Sequence, residues 1–142
     1  YRKPQEIIIN NSKFLLGHGD GLGPGDQIYK ILKKVFSNKV CQFLFSIIPP
    51  IIGMGIAKMW SQKSRLHNNT DEVFLGDKEW LYIYCKEVEE TSHHDYYIFG
   101  HRHLPLDLIV GEDSRYINLG EWIKYCTYAS FDGEKLCLET FG

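Results

Sequence analysis

Between positions 27 and 66 the sequence contains no aspartate and no glutamate. The chain as a whole has 18 acidic and 16 basic residues, a net charge of −2, so this gap is local. Seven bases fall inside it (Lys30, Lys33, Lys34, Lys39, Lys58, Lys63, Arg65), while the remainder holds nine bases and all eighteen acids. A block of one sign that is also the most apolar part of the chain is a strong local signal. Other absences exclude whole classes. None of the four cysteines (Cys41, Cys85, Cys126, Cys137) stands in C-x-x-C spacing, which argues against a zinc knuckle or a thioredoxin-type motif. Each lies in an apolar periodic stretch, so free buried thiols and a reducing, cytoplasmic setting are expected. No apolar run approaches the ~20 residues that a bilayer-crossing helix needs. There is no signal-peptide pattern, internal repeat or low-complexity segment. The opening Tyr1-Arg2-Lys3-Pro4 lacks Met and runs straight into a strand-like segment, as the interior of a longer protein would.

What is present is an ordinary globular composition, 44% hydrophobic and 24% charged, in 142 residues, enough for one domain with a substantial core. Segments 6–10 (EIIIN) and 13–17 (KFLLG) read as strands of a hairpin turned by Asn10, Asn11 and Ser12. Five glycines fall in residues 17–25, a run that excludes regular structure and makes a convoluted loop carrying His18, Asp20 and, just beyond it, Asp26. Asp26 is placed to cap a helix with Ile28, Ile31, Leu32, Val35 and Phe36 along one face. Two further apolar runs, 40–48 and from 51 onward, flank Pro49-Pro50, which stops the first. Residues 61–70 are polar and read as a connector. Thr70 then caps a helix reaching about Glu90, a solvated outer element with Gly76 as its weak point. Segment 96–99 is a buried strand. Segments 106–110 and 116–119, then 122–131 and 135–141 around Asp132-Gly133, predict an antiparallel β meander.

Candidate chemistry sits on histidines. Phe99-Gly100-His101-Arg102-His103 places two imidazoles two residues apart, on one face if the backbone stays extended. Gly100 frees the backbone to turn and to approach something bound. Neutral imidazole is the commonest transition-metal ligand, yet a Gly-His-x-His stretch taken alone is more often an ordinary loop than a metal site. His18 changes the balance. If the strands ending at His18 and His101 are neighbours, His18, His101 and His103 converge, a donor set suiting Zn, Mn or Fe better than Mg or Ca. His67, His93 and His94 have no evident carboxylate partners and read as surface or helix-end residues. The helical block at about 27–66 has lysines with no acidic neighbours, which suit an anionic lipid surface at about 1 kcal/mol per base. Those lysines alternate with aliphatic residues, not stacking aromatics, which argues against nucleic acid.

The blocks Gly17-His18-Gly19-Asp20 and Gly100-His101-Arg102-His103 resemble the last two motifs of the calcineurin-like metallophosphoesterases. The runs HGDGLGPGD and FGHRHLPL, with Tyr116-Ile117-Asn118-Leu119-Gly120-Glu121-Trp122, look like the branch that splits the pyrophosphate of UDP-2,3-diacylglucosamine in lipid A synthesis, in its Bacteroidetes-like form. The resemblance implies an α+β fold, the C-terminal portion of an α/β/β/α sandwich with a helical lid. It implies two divalent ions, Mn first with Zn or Fe fitting, bound by His18 and His101 on one side and His103 on the other, with His101 also catalytic. Asp26 matches a position near the substrate head group, and Lys63, Ser64 and Arg65 match contacts to the sugar phosphate. The family's Asp-x-His, Gly-Asp-x-x-Asp and Gly-Asn-His blocks do not occur in these residues, so the chain is expected to be the C-terminal part of a larger enzyme and inactive alone. Expected partners are the lipid-linked nucleotide and an anionic membrane surface, at the cytoplasmic face of the inner membrane, and a second copy paired at an open sheet edge. Two alternatives stand beside this: a metallophosphoesterase for another phosphomonoester or phosphodiester, and a non-catalytic membrane-binding or scaffold fragment.

Overall fold

Asn10 and Asn11 both adopt left-handed backbone, with φ of 47° and 68°, and close the predicted hairpin in two residues, Ser12 already belonging to the second strand, between β1 (Gln5–Ile9) and β2 (Ser12–Gly17). The structure is a computed structural model and describes residues 3–24, 27–67 and 73–142, except the side chains of 27–29 and 63–67. The chain forms two compact units, one from Tyr1–Gly25 with Asp71–Gly142 and the other from Asp26–Thr70.

In the first unit β2 lies parallel to β3 (Tyr96–Phe99), and β3 lies parallel to β5 (Ser114–Leu119). Antiparallel β1 and β4 (Pro105–Val110) flank them, giving the order β1-β2-β3-β5-β4. Alternating side chains on these strands serve two faces. Leu15, Tyr97, Phe99 and Tyr116 point to one, where they pack with Leu106, Val110 and the helix α4 (Trp80–Glu89) through Leu81 and Cys85. Phe14, Ile117, Leu16, Ile98 and Leu119 belong to the other, covered by a separate hairpin of β6 (Thr127–Phe131) and β7 (Leu136–Thr140) through Ala129, Phe131, Leu136 and Leu138. The fold is thus α+β, with a helix, a mixed sheet and a small second sheet in three layers.

Several expectations are corrected. The helix predicted from Thr70 begins only at Trp80, after a 3-10 turn at Gly76–Lys78, because Gly76 adopts φ 58° and interrupts the helical path. Thr70, Asp71 and Glu72 lie outside the described residues. Far from being a solvated outer element, α4 buries Leu81 and Cys85 completely. The C-terminal meander is two hairpins in different sheets, since 122–125 form a turn instead of continuing β6. Of the thiols only Cys85 is buried; Cys41, Cys126 and Cys137 are half-buried, and all four are free.

The second unit is helical: α1 (Gln27–Ser37), α2 (Lys39–Ile47) and α3 (Pro50–His67). The Asn38 side chain caps α2 by accepting from the backbone N–H groups of Val40 and Cys41 at 2.8 and 3.2 Å. Pro50 opens α3, where the missing N–H costs nothing. The predicted connector at 61–70 is instead helical to His67, since Gln, Lys, Arg and Leu are good helix formers whatever their polarity. No residue of α2 is buried, and Phe43, Leu44, Ile47, Ile51, Met54 and Met59 are all more than half exposed. Helices buried in a core would not show this pattern. No described helix is long and apolar enough to cross a membrane.

Candidate functional site

The parallel strands β2, β3 and β5 end side by side, with Gly17 opposite Phe99 and Phe99 opposite Asn118. Loops at the carboxyl ends of parallel strands are where open α/β sheets place their chemistry. Gly17 is needed there, because a Cβ would sit 2.8 Å from the Phe99 ring. The His18 carbonyl accepts from the Gly100 N–H at 3.1 Å, joining the two loops. Their imidazoles meet edge to face, ring centroids 5.3 Å apart. Gly19, at φ 105°, passes close beneath, where a Cβ would lie 3.0 Å from Leu81 and 3.4 Å from the His101 Cβ.

The sharp turn expected at Gly100 falls instead on His101, which itself takes the left-handed conformation, with φ 61°. That conformation costs a non-glycine residue about 1–2 kcal/mol, and such strain gathers at functional positions. It also removes the extended-strand argument for placing His103 on the same face as His101. Residues 101–104 bend instead of continuing the strand, so the rule that i and i+2 share a face does not apply to His101 and His103. His103 is exposed. Among the described residues no three His, Cys, Asp or Glu side chains gather closely enough to hold an ion. His18 and His101 together offer two nitrogen donors, which fits part of a divalent-metal shell and leaves the rest to groups elsewhere. Asp26 lies outside the described residues; Lys63, Ser64 and Arg65 fall on the last turns of α3, and their side chains are likewise outside the description.

Behind the histidines stand residues that periodicity does not single out. Arg102 is buried against Glu79, with Nε 2.9 Å from one carboxylate oxygen and Nη2 3.2 Å from the other. The Asn118 side-chain amide donates to the carbonyls of Arg102 and Leu104 at 2.5 and 2.6 Å. An Arg between two histidines and an Asn inside an apolar strand are the signals that could have found them. Two other histidines are also better partnered than expected. His94 is buried, its Nε2 3.0 Å from Glu6, and His93 lies 2.7 Å from Glu89. Burial opposes ionisation of Glu89, but hydrogen bonds from Tyr97, His93 and Ser114 outweigh it and hold the carboxyl down at about 2. Ser114 and His93 approach the same Glu89 oxygen, at 2.9 and 2.7 Å, so the trio pins α4 to the sheet and does not form a nucleophile–base relay.

No protein-family model matches the chain. Curated relatives do. The chain is similar to a protein of Porphyromonas gingivalis named UDP-2,3-diacylglucosamine hydrolase, 32% identical over 150 residues that cover 94% of this chain and 56% of the relative. Proteins of the same name from Azotobacter vinelandii and Coxiella burnetii are 29% and 28% identical, covering 99% and 91% of this chain and 58% and 56% of their own lengths. The chain is therefore a relative of the UDP-2,3-diacylglucosamine hydrolases, spanning slightly more than half of their length.

Proposed function

We propose that the whole protein is a metal-dependent hydrolase that cleaves the pyrophosphate of UDP-2,3-diacylglucosamine to UMP and 2,3-diacylglucosamine 1-phosphate, and that this chain is its C-terminal part. The observation that carries this is the meeting of His18 and His101 at the ends of parallel strands, in a chain whose curated relatives bear that substrate's name. Bound divalent ions, Mn first with Zn or Fe also suited, would polarise phosphoryl oxygens and acidify a coordinated water. His18 and His101 present imidazole nitrogen to one ion and His103 to the other. His101 also faces the charge developing on the reacting phosphate. Asp26, Lys63, Ser64 and Arg65 serve the nucleotide and sugar-phosphate head group.

The acid-free helical unit is the lid in this reading. Its exposed Phe, Ile and Met side chains accept acyl chains, at ~0.8 kcal/mol per buried CH₂. Its lysines lean on anionic lipid at the cytoplasmic face of the inner membrane. β1, with Ile7, Ile8 and Ile9 all exposed at the sheet edge, is the surface at which two copies would pair.

The test is hydrolysis of UDP-2,3-diacylglucosamine by the full-length gene product with Mn(II), beside its His101→Ala variant. Release of UMP that disappears on chelation and in the variant is the expected result. Full activity of His101→Ala would overturn the assignment.

A further inference from the structure

Arg102 lies between two histidines in sequence, but its side chain enters the interior, leaving 1% of the residue exposed. Its guanidinium faces both oxygens of Glu79, a residue that is itself 0% exposed, and Nη2 donates to the Val73 carbonyl at 2.7 Å. The Trp80 ring lies 4.7 Å beneath the guanidinium carbon. From the adjacent strand, Asn118 holds the Arg102 and Leu104 carbonyls. The short stretch that carries His101 in its strained conformation is therefore gripped through one side chain and two carbonyls.

A buried ion pair is a poor device for stability alone, since well-packed apolar residues of similar volume do as well or better. What the guanidinium adds is orientation, because its rigid plane meets Glu79 through the Nη2 hydrogen bond and the Nε charge contact while Nη2 also holds the Val73 carbonyl. We infer that Arg102, clamped by Glu79 and Trp80, is a positioning residue that holds His101 at φ 61° with its ring against His18. That the loop ligates a metal rests on the function proposed above; that Arg102 sets its geometry does not.

The experiment compares wild type with Arg102→Lys and with the double variant Arg102→Met/Glu79→Leu, which removes both charges while keeping volume. Three quantities are read on the full chain: the urea midpoint, the nuclear Overhauser contact between the His18 and His101 rings, and Zn(II) titration. The double variant is expected to unfold near the wild-type midpoint, yet to lose the ring contact and bind Zn(II) about tenfold or more weakly, the usual scale for groups behind a ligand. Arg102→Lys keeps the charge without the rigid guanidinium plane and is expected to lose the ring contact as well. Retention of that contact in Arg102→Lys, or in a folded double variant, overturns the inference. If His101→Ala titrates Zn(II) like wild type, the metal assignment fails, and the ring contact still decides the role of Arg102.

Discussion

Asn118 donates its side-chain amide to the main-chain carbonyl of Arg102 at 2.5 Å, from the strand beside the one that delivers the histidine loop. Both groups are buried, so the bond is made where water cannot substitute for it. Asn118→Ala strips one buried and one half-buried carbonyl of their donor and is expected to cost about 2–3 kcal/mol. Asn118→Asp should cost more, because a carboxylate would then face two carbonyl oxygens. Urea unfolding measures both; a loss under about 0.5 kcal/mol in either contradicts this account of the loop.

His101 offers a separable test of strain and ligation. Glycine adopts positive φ freely, so His101→Gly should be more stable than His101→Ala by about 1 kcal/mol. Both variants should lose metal affinity alike. Equal thermal midpoints for the two would mean the left-handed conformation carries no cost.

Glu89 ties acid stability to the packing of α4. Its folded carboxyl titrates near 2, against 4.5 for the unconstrained group. A lowered folded value means the unfolded chain takes up protons first as pH falls. The contribution is thus complete above about pH 4.5 and disappears as pH drops toward 2. We expect about 1–3 kcal/mol of stability to vanish across that interval, and Glu89→Gln to flatten it. An unchanged acid limb in Glu89→Gln would remove Glu89 from the explanation. His93 works in the opposite sense: the hydrogen bond to Glu89 raises its titration above 6.5, so its share is present below that pH and fades as pH climbs past the raised value.

The helical unit should partition onto vesicles containing anionic lipid and far less onto neutral ones. Reversing Lys33 and Lys34 to Glu should weaken binding by roughly tenfold to a hundredfold, on the scale of ~1 kcal/mol for each base near the surface. Raising salt should act in the same direction. Co-sedimentation independent of lipid charge would point to the apolar side chains alone.

The hairpins are legible in the sequence because their turns are chemical: Asn10-Asn11 forms a two-residue turn, whereas Asp132-Gly133 opens a loop of residues 132–135, longer than the two-residue turn expected, in which the Asp132 carboxylate accepts from the Glu134 and Lys135 N–H groups. The apolar runs of the helical unit are legible as a pattern, and the absence of acidic residues from 27 to 66 marks the same block. Helix limits are harder. Polar residues 61–67 look like a linker, but propensity carries α3 through them, while a single left-handed glycine delays α4 until Trp80. At the site, two histidine blocks can be recognised from type and spacing. The bend at His101 cannot, since it is stabilised by Glu79 and Asn118, which lie 22 positions before it and 17 after it. Buried polar partners across such distances leave no periodic trace.

The pairing of β2 with β3 has a kinetic corollary. His18 and His101 are 83 positions apart, and every described contact between them depends on two parallel strands with the whole helical unit and α4 in the intervening chain. Closing so long a loop costs entropy before any strand pairing rewards it, and contacts of high sequence separation form slowly. The local hairpins β1–β2 and β6–β7 can assemble early, whereas the two imidazoles meet only once the central register is set. A site of this kind cannot seed folding; it is among the last features of the molecule to exist.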